Sequence, residues 1–422
     1  MELEREHWEL IGDNLFACAD FTSVNSFQDE VKFSSSFYKL TPPPPPAARP
    51  PPYDKHPYTP TKSQAQPQPP PPQSQPENYY AATDIVKTER REQHLAAGKF
   101  TPLQLPEGAA RDAAALLDFP RHRLRLLEKL GDGLFGLVHL CEVEGAAEYP
   151  GAGAAGAPAP CQRKQLLVVK SLRRGCSEAT RQEFLREAGW LASLRDPNVA
   201  RVLAVCAAEE PLCVLQETAE LGDLPRFLQM QSAAAAADGT AGLSYGCLIY
   251  LATQVASGMK YLESMDLVHR DLAARNCAVG KHYSIKITDH AMYCTKYESD
   301  YYVSDTQSRL PVRWMAWESL LLGKYHPKSD VWAFAVTLWE ILMLCAQQPF
   351  AELTNEQVVE NCNHWYQNDG LQRLLARPPT CPREIYDLMG ECWKRHEADR
   401  PRFAEIHLFL QRKNLGYVPA SG

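Results

Sequence analysis

His269-Arg270-Asp271-Leu272-Ala273-Ala274-Arg275-Asn276 sets five polar or charged groups at fixed spacing, and Asp289 closes the next short apolar run. Asp271 can accept the proton of an attacking hydroxyl. Asn276 and Asp289 offer hard oxygen donors of the kind Mg²⁺ takes beside the phosphates of ATP. Upstream, Gly131-Asp132-Gly133-Leu134-Phe135-Gly136-Leu137-Val138 forms a glycine-rich stretch whose backbone N–H groups can close over those phosphates. Lys170 ends an apolar run, Leu166–Lys170, and Glu187 follows in a segment of helical spacing. Glycines, lysine, glutamate, aspartate, asparagine and a final aspartate together make a set able to serve phosphoryl transfer from ATP.

Elements that could position these groups are visible in the pattern. The glycines lie between two apolar strands, Leu124–Leu130 and Val138–Val143, which makes a hairpin. A dinucleotide-binding turn, which needs a helix after the glycines, is excluded. Gly151–Pro160 is expected as a loop extension, Thr180–Leu194 as a helix, and Val202–Cys206 and Leu212–Leu215 as strands. A second alanine-rich insert, Ser232–Gly242, precedes a long amphipathic helix over Gly246–Glu263. Beyond Asp289 the chain reads mainly as helix. The pattern predicts an α+β, bilobal fold: a small β-rich lobe with one helix at about 119–216, and a larger helical lobe at about 220–415.

Composition sets limits. The 422 residues carry a formal net charge of −7, which gives no electrostatic reason to expect nucleic acid. Thirteen cysteines are scattered without a C-x-x-C pair, a pattern of reduced cytosolic thiols. The charged start Met1-Glu2-Leu3-Glu4-Arg5 has no apolar core, so no signal peptide is expected. The longest apolar run, Val331–Cys345, is interrupted by Glu340 and falls short of the ~20 residues of a bilayer span. A buried helix is expected there, in a soluble cytoplasmic chain.

Residues 1–40 are mixed in character, and residues 41–118 form a Pro-rich tail that favours extended polyproline II over a packed core. Within it, Pro50-Pro51-Pro52-Tyr53 fits the P-P-x-Y pattern that WW domains bind. Tyr79-Tyr80 reads as a docking site for SH2 or phosphotyrosine-binding domains once phosphorylated. Residues 416–422 are a short tail.

His269–Asn276 resembles the catalytic loop of protein kinases, H-R-D-x-x-x-x-N. That resemblance implies Asp271 as catalytic base, Asn276 and Asp289 as metal ligands, and Lys170 paired with Glu187 while holding phosphates. It places the nucleotide among Gly131, Gly133, Gly136, Val138, Val168, Lys170, Glu217, Ala219, Asn276, Ala278 and Asp289, with Gln216 as gatekeeper. Phe135 would cap the glycine loop, and His269 would pack beneath the metal aspartate. Glu318 and Arg400 would form a buried ion pair, and Asp330 would anchor the catalytic loop. Ala273-Ala274-Arg275-Asn276 and Pro311–Glu318 match tyrosine kinases, which adds Arg275 to the catalytic set.

More closely, Leu130–Val143, Asp223–Leu228, Leu267–Val279, Leu310–Leu322, Ser329–Cys345 and Asn355–Asn361 resemble the discoidin domain receptors, collagen-sensing receptor tyrosine kinases. The likeness covers 119–412 and implies tyrosine-bearing protein substrates and self-association for phosphorylation in trans. It also implies Tyr297, Tyr301 and Tyr302 as regulatory phosphotyrosines, with Arg270 receiving the added charge. The ectodomain and membrane helix of that family are not in this sequence, so the chain reads as the cytosolic part of a plasma-membrane receptor.

Several residues depart from the pattern. Val168 replaces an alanine over the adenine ring and Ala278 a leucine beneath it. Gln216 is a polar gatekeeper. His290 replaces a phenylalanine expected between His269 and the Glu187 helix near Leu191, and Ala291 replaces a glycine. The retained polar groups favour an ATP- and Mg²⁺-dependent tyrosine kinase; the altered apolar scaffold favours a pseudokinase that acts as scaffold or allosteric partner.

Overall fold

The computed structural model describes residues 116–145, 164–240, 242–303 and 308–419. The expectations for residues 1–115, including Tyr53 and Tyr79-Tyr80, and for the Gly151–Pro160 extension lie outside them. All elements named below belong to one compact unit.

The glycine-rich stretch is the turn of a hairpin. β1 (Leu124–Asp132) and β2 (Leu137–Glu144) pair antiparallel, and the Gly133 N–H donates to the Gly136 carbonyl at 2.6 Å. Gly136 has no room for a side chain, because a Cβ there would sit 2.0 Å from the Ser171 carbonyl oxygen. β3 (Lys164–Ser171) follows, and α1 (Glu178–Ser193) starts two residues before the helix predicted by spacing. Ser177 explains the earlier start, since its side chain accepts the Thr180 N–H as an N-cap. Phe184, Ala188 and Leu191, at helical spacing, are buried toward the sheet. β4 (Val202–Cys206) and β5 (Cys213–Glu217) complete a five-stranded antiparallel sheet in the order β1-β2-β3-β5-β4.

The second lobe is helical. α2 (Leu224–Asp238) is capped by Asp223, carries a proline in its first turn, and ends at Gly239 with φ 64°. Its last turns are the alanine-rich insert, which continues the helix because alanine is the residue least costly to hold in one. α3 (Tyr245–Ser264) is buried along Leu251, Val255 and Met259. The short ladders β6 (Cys277–Val279) with β7 (Ile285–Ile287), and β8 (Tyr302–Val303) with β9 (Arg309–Leu310), follow the catalytic loop. Then come α4 (Trp317–Leu322), α5 (Pro327–Leu342), α6 (Asn355–Gln367), α7 (Arg383–Cys392) and α8 (Phe403–Lys413). α5 is the buried helix expected from Val331–Cys345, with Phe334, Leu338 and Ile341 fully buried beside the core face of α3. Each such side chain contributes about 1.5–3 kcal/mol by leaving water.

Arg400 donates to both oxygens of Glu318, at 2.6 and 2.9 Å, and both side chains are buried. The expected brace of this lobe is therefore formed. Among the described residues, no helix is long and apolar enough to cross a membrane.

Candidate active site

The catalytic loop is held from below. The two oxygens of Asp330, on α5, accept the backbone N–H groups of His269 at 2.6 Å and Arg270 at 2.9 Å. This anchoring lets Arg270 adopt φ 68°, a left-handed conformation unusual for a residue other than glycine. His269 donates from Nε2 to the Thr288 carbonyl at 2.8 Å, so the ring braces the strand leading to Asp289. Glu340 accepts the Ala274 N–H at 3.0 Å and the Trp314 indole N–H at 2.8 Å. Burial pushes the Glu340 carboxyl up to about 7, although those two donors and Arg275 favour its charged form.

Asp271 is fully buried and its two oxygens are divided between partners. Arg275 donates from Nη2 to Oδ1 at 2.6 Å, and Asn276 donates from Nδ2 to Oδ2 at 2.8 Å. The guanidinium of Arg275 lies 4.0 Å over the Trp314 ring, and its charge is retained despite burial because Asp271, Tyr301 and Asp300 surround it. Asn276 turns its amide oxygen to the Ala291 N–H at 2.9 Å, tying the loop to the turn after Asp289.

Around Asp289 the structure corrects one expectation. Lys170 does not reach Glu187. Its Nζ lies 2.9 and 2.8 Å from the two oxygens of Asp289, and Gln216 donates to Oδ1 of the same carboxylate at 3.0 Å. Burial would raise the Asp289 carboxyl, but Lys170 outweighs it and holds the group down at about 2. Glu187 lies nearby, lining the same cleft, yet no ion pair joins it to Lys170 among the described residues. Burial pushes Glu187 up to about 7 against the attraction of Lys170. The physical reason is competition: one ammonium faces two carboxylates, and Asp289 brings a second donor, Gln216, to its side.

A second correction concerns His290. The small space behind Asp289 is lined by Leu191, Leu194 and Leu262 together with Gln216, His269 and Thr288, and His290 is not in its wall. The imidazole instead feels Asp289, Lys170, Lys296 and Asp223. Its Nδ1 is buried without a hydrogen-bond partner, and burial pulls the ring down to about 4. The leucine side chains there offer an imidazole no hydrogen bond, so His290 gains nothing by packing against them.

Above these groups the glycine loop and the start of the activation segment meet. Gly131 forms an antiparallel bridge with Cys294, and a Cβ on Gly131 would lie 1.7 Å from the Tyr293 carbonyl oxygen. Tyr293 lines the cleft together with Gly133, Gly136, Val138, Lys170 and Asp289. Phe135 turns inward from the loop tip and meets Phe184 of α1 edge-on, with centroids 5.2 Å apart. Val168 stands opposite Gln216 in the β3–β5 register, and Ala278 bridges Asp223; both are buried. Glu217 spends its carboxylate on Lys286 at 2.9 Å and Arg201 at 3.5 Å. Ala219, also buried, accepts the Gly222 N–H at 3.3 Å in the connection to α2.

Hard oxygen donors at Asp289 and Asn276, an ammonium at Lys170 and a glycine turn whose close packing tolerates no side chain fit a nucleotide with a divalent cation. For both to engage, Asp289 and Lys170 must exchange each other for the ligand.

The activation segment fills the approaches. Tyr301 is buried, and its hydroxyl donates to Asp271 Oδ2 at 2.7 Å while accepting from Arg275 Nε at 2.8 Å. Tyr297 donates to Asp223 Oδ1 at 2.5 Å, and Lys296 pairs with Oδ2 of the same residue. Burial would raise Asp223, but Lys296 and Tyr297 together hold it below the usual carboxylate range. Tyr302 is half-buried in the β8–β9 ladder, paired with Leu310. Arg270 has its guanidinium 4.4 Å over the Tyr325 ring. Tyr293, Tyr297 and Tyr301 recur every four residues: Tyr293 lines the cleft, Tyr297 bonds Asp223 and Tyr301 bonds Asp271.

Sequence reasoning missed four residues of this arrangement: Tyr293 under the glycines, Asp223 as a tether, Gln216 as a donor to Asp289, and Gln348, which donates to Asp300 at 2.5 Å. The four-residue tyrosine spacing was available as a signal. Nothing local marks Gln348, which reaches the site from the loop after α5.

The fold and this geometry define a protein kinase. The profile described as protein tyrosine and serine/threonine kinase matches residues 124–410, and the chain belongs to that family. It is 44% identical over 356 residues to the human epithelial discoidin domain-containing receptor 1, covering 81% of this chain and 38% of that protein. Against the discoidin domain-containing receptor tyrosine kinase B of Caenorhabditis elegans, identity is 37% over 297 residues, with 70% of this chain and 34% of that protein covered. The BDNF/NT-3 growth factors receptor of Gallus gallus is 38% identical over 295 residues, with 69% and 34% covered. The chain thus spans little more than a third of the length of the curated relatives it matches.

Proposed function

We propose that this chain is the kinase region of a receptor-type protein-tyrosine kinase, transferring the γ-phosphate of Mg-ATP to tyrosines of proteins. One observation carries the reading: a tyrosine hydroxyl already sits 2.7 Å from the carboxylate of Asp271, within the buried pocket of Arg275. A base at that distance can take the phenolic proton. Bound Mg-ATP supplies the phosphoryl group and the charge that offsets the developing negative oxygens. Asp271 accepts the proton, Arg275 orients the phenol and holds Asp271, and Asn276 fixes the other carboxylate oxygen. Lys170 would hold phosphate oxygens, Asp289 and Asn276 the cation, and Glu187 would take over Lys170 once Asp289 has left it. Gly131, Gly133, Gly136, Val138, Val168, Glu217, Ala219 and Ala278 would enclose the nucleotide.

Tyr297, Tyr301 and Tyr302 act as regulatory phosphotyrosines. A phosphate on Tyr301 cannot stay against Asp271, because two anions would share one buried site, so modification expels the segment. Phosphorylation in trans by a second copy follows from this blockade. The kinase domain spans 119–415, with a tail at 41–118 that offers Tyr53 to WW domains and Tyr79-Tyr80 to SH2 or phosphotyrosine-binding domains, on the cytosolic side of a plasma membrane.

The test is phosphotransfer by the full chain with Mg-ATP, the sites located by mass spectrometry, beside an Asp271→Asn control. Phosphate on Tyr301 or Tyr302 in the parent alone is the expected result. Equal transfer by the control sinks the mechanism; no transfer by a folded parent that binds Mg-ATP favours the scaffold reading, to which His290 and the Lys170–Asp289 pair would then belong.

A further inference from the structure

We infer that this kinase selects tyrosines directly preceded by an acidic residue, and that Gln348 together with Arg275 reads that residue. The inference rests on the tyrosine-kinase reading and names the substrate class of the same site.

Tyr301 does not reach Asp271 alone. Its neighbour Asp300 is received by two donors: Gln348 Nε2 at 2.5 Å from Oδ1, and Arg275 Nη1 at 3.5 Å from Oδ2. On the other side, Tyr302 and Val303 pair antiparallel with Leu310 and Arg309, as an extended peptide does when it adds a strand to an exposed edge. Four consecutive residues therefore have a separate receptor each or in pairs: Asp300 on Gln348 and Arg275, Tyr301 on Asp271, and Tyr302-Val303 on β9. This is the footprint of a peptide whose phenol lies at the base, made here by the chain itself.

The chemistry of the Asp300 receptor is selective. The Arg275 guanidinium is almost completely buried, and Asp271 satisfies one edge of it. A carboxylate at the Asp300 position meets the Nη1 corner and adds charge-assisted bonding. Asparagine there keeps an acceptor for Gln348 but brings no charge to Arg275, and lysine meets a buried cation. Gln348 touches neither the phenol oxygen nor Asp271, so its part is specificity and not proton transfer. The amide of Gln348 can donate or accept, so it positions the residue before the tyrosine, and the buried charge of Arg275 sets the sign of the preference.

The experiment uses the full chain carrying Tyr301→Ala, which empties the site, and peptides of residues 296–303 with Tyr297→Phe and Tyr302→Phe. These are compared with Asp300 kept or changed by Asp300→Asn, Asp300→Ala and Asp300→Lys. We expect kcat/KM for the aspartate peptide to exceed that for the asparagine peptide by about tenfold, the scale of one charge-assisted hydrogen bond. Adding Gln348→Glu should erase that preference and raise the relative rate of the lysine peptide. Because each comparison is a ratio within one protein, partial misfolding of a variant leaves it readable. Peptide binding, followed by fluorescence anisotropy with Tyr301→Phe in each peptide, reads the same ratio without transfer. Tighter binding of the aspartate form with no phosphate on any peptide keeps this subsite and removes the kinase reading. Equal rates and equal binding for aspartate, asparagine and lysine overturn the inference while leaving the kinase intact.

Discussion

The catalytic loop and the turn at Asp289–Ala291 face the same cleft, but their buried polar groups are treated differently. In the loop, His269, Asp271 and Asn276 are bonded to Thr288, Arg275, Ala291 and one another, and Asp330 and Glu340 hold the backbone from α5. At the turn, Gln216 Oε1 and His290 Nδ1 are buried without partners, and Asp289 is occupied by Lys170 and Gln216. The loop takes its support from residues outside the nucleotide site, so its geometry does not depend on ligand. The turn bonds to the groups that a nucleotide and cation would claim, so it is the part able to switch.

Four substitutions break or sharpen that contrast. The largest effect should come from Asp330→Ala, which leaves two buried N–H groups of the loop without an acceptor and costs about 3–5 kcal/mol. A urea midpoint that hardly moves would show that the loop is not held from α5.

Next is the pH dependence of Glu340. Its folded value of about 7 lies above the ordinary 4.5, so the folded state holds a proton that the unfolded chain has lost between those values. Its contribution is fully present below pH 4.5 and is lost as pH rises through 7. Between pH 5 and 8 the parent should lose roughly 2–3 kcal/mol from this group. Glu340→Gln should remove its share of the pH slope in a series of denaturation curves and leave the share of Glu187, which burial also raises to about 7; a slope unchanged from the parent removes Glu340 as a contributor.

His290→Phe should act in the opposite sense, stabilising the chain by about 1–2 kcal/mol, since it removes a buried ring nitrogen that has no hydrogen-bond partner. A lower unfolding midpoint would falsify the view that the turn is the strained side. The smallest effect belongs to Tyr297→Phe, which frees Asp223, bridged to Ala278, of one bond. Affinity for Mg-ADP by calorimetry should rise about threefold, near 0.7 kcal/mol. No change would mean that this tether and the nucleotide do not compete.

Much of the fold was legible in the sequence because it depends on local pattern. The hairpin around Gly131–Gly136, the helix near Thr180–Leu194, the buried α5 and the order of the catalytic groups all follow from periodicity, turn residues and spacing. The Glu318–Arg400 and Asp330 contacts were legible through resemblance. The extent of α2 shows the limit of reading an alanine-rich stretch as an insert, for its intrinsic propensity carried the helix through it.

What the sequence by itself determined is which groups are available to the site and the elements that carry them. Lys170, Glu187, Asp271, Arg275, Asn276 and Asp289 had to arrive in one cleft once β3, α1 and the catalytic loop formed. Which of them pair was decided by tertiary structure. Lys170 pairs with Asp289 and not Glu187, where Gln216, a strand away, adds a second donor; His290 stays out of the space beside Leu191, where leucines offer it no hydrogen bond; and Tyr301 reaches Asp271 while Asp300 meets Gln348 from a distant loop. Such choices depend on distances and desolvation between residues far apart in the chain, and no local pattern records them.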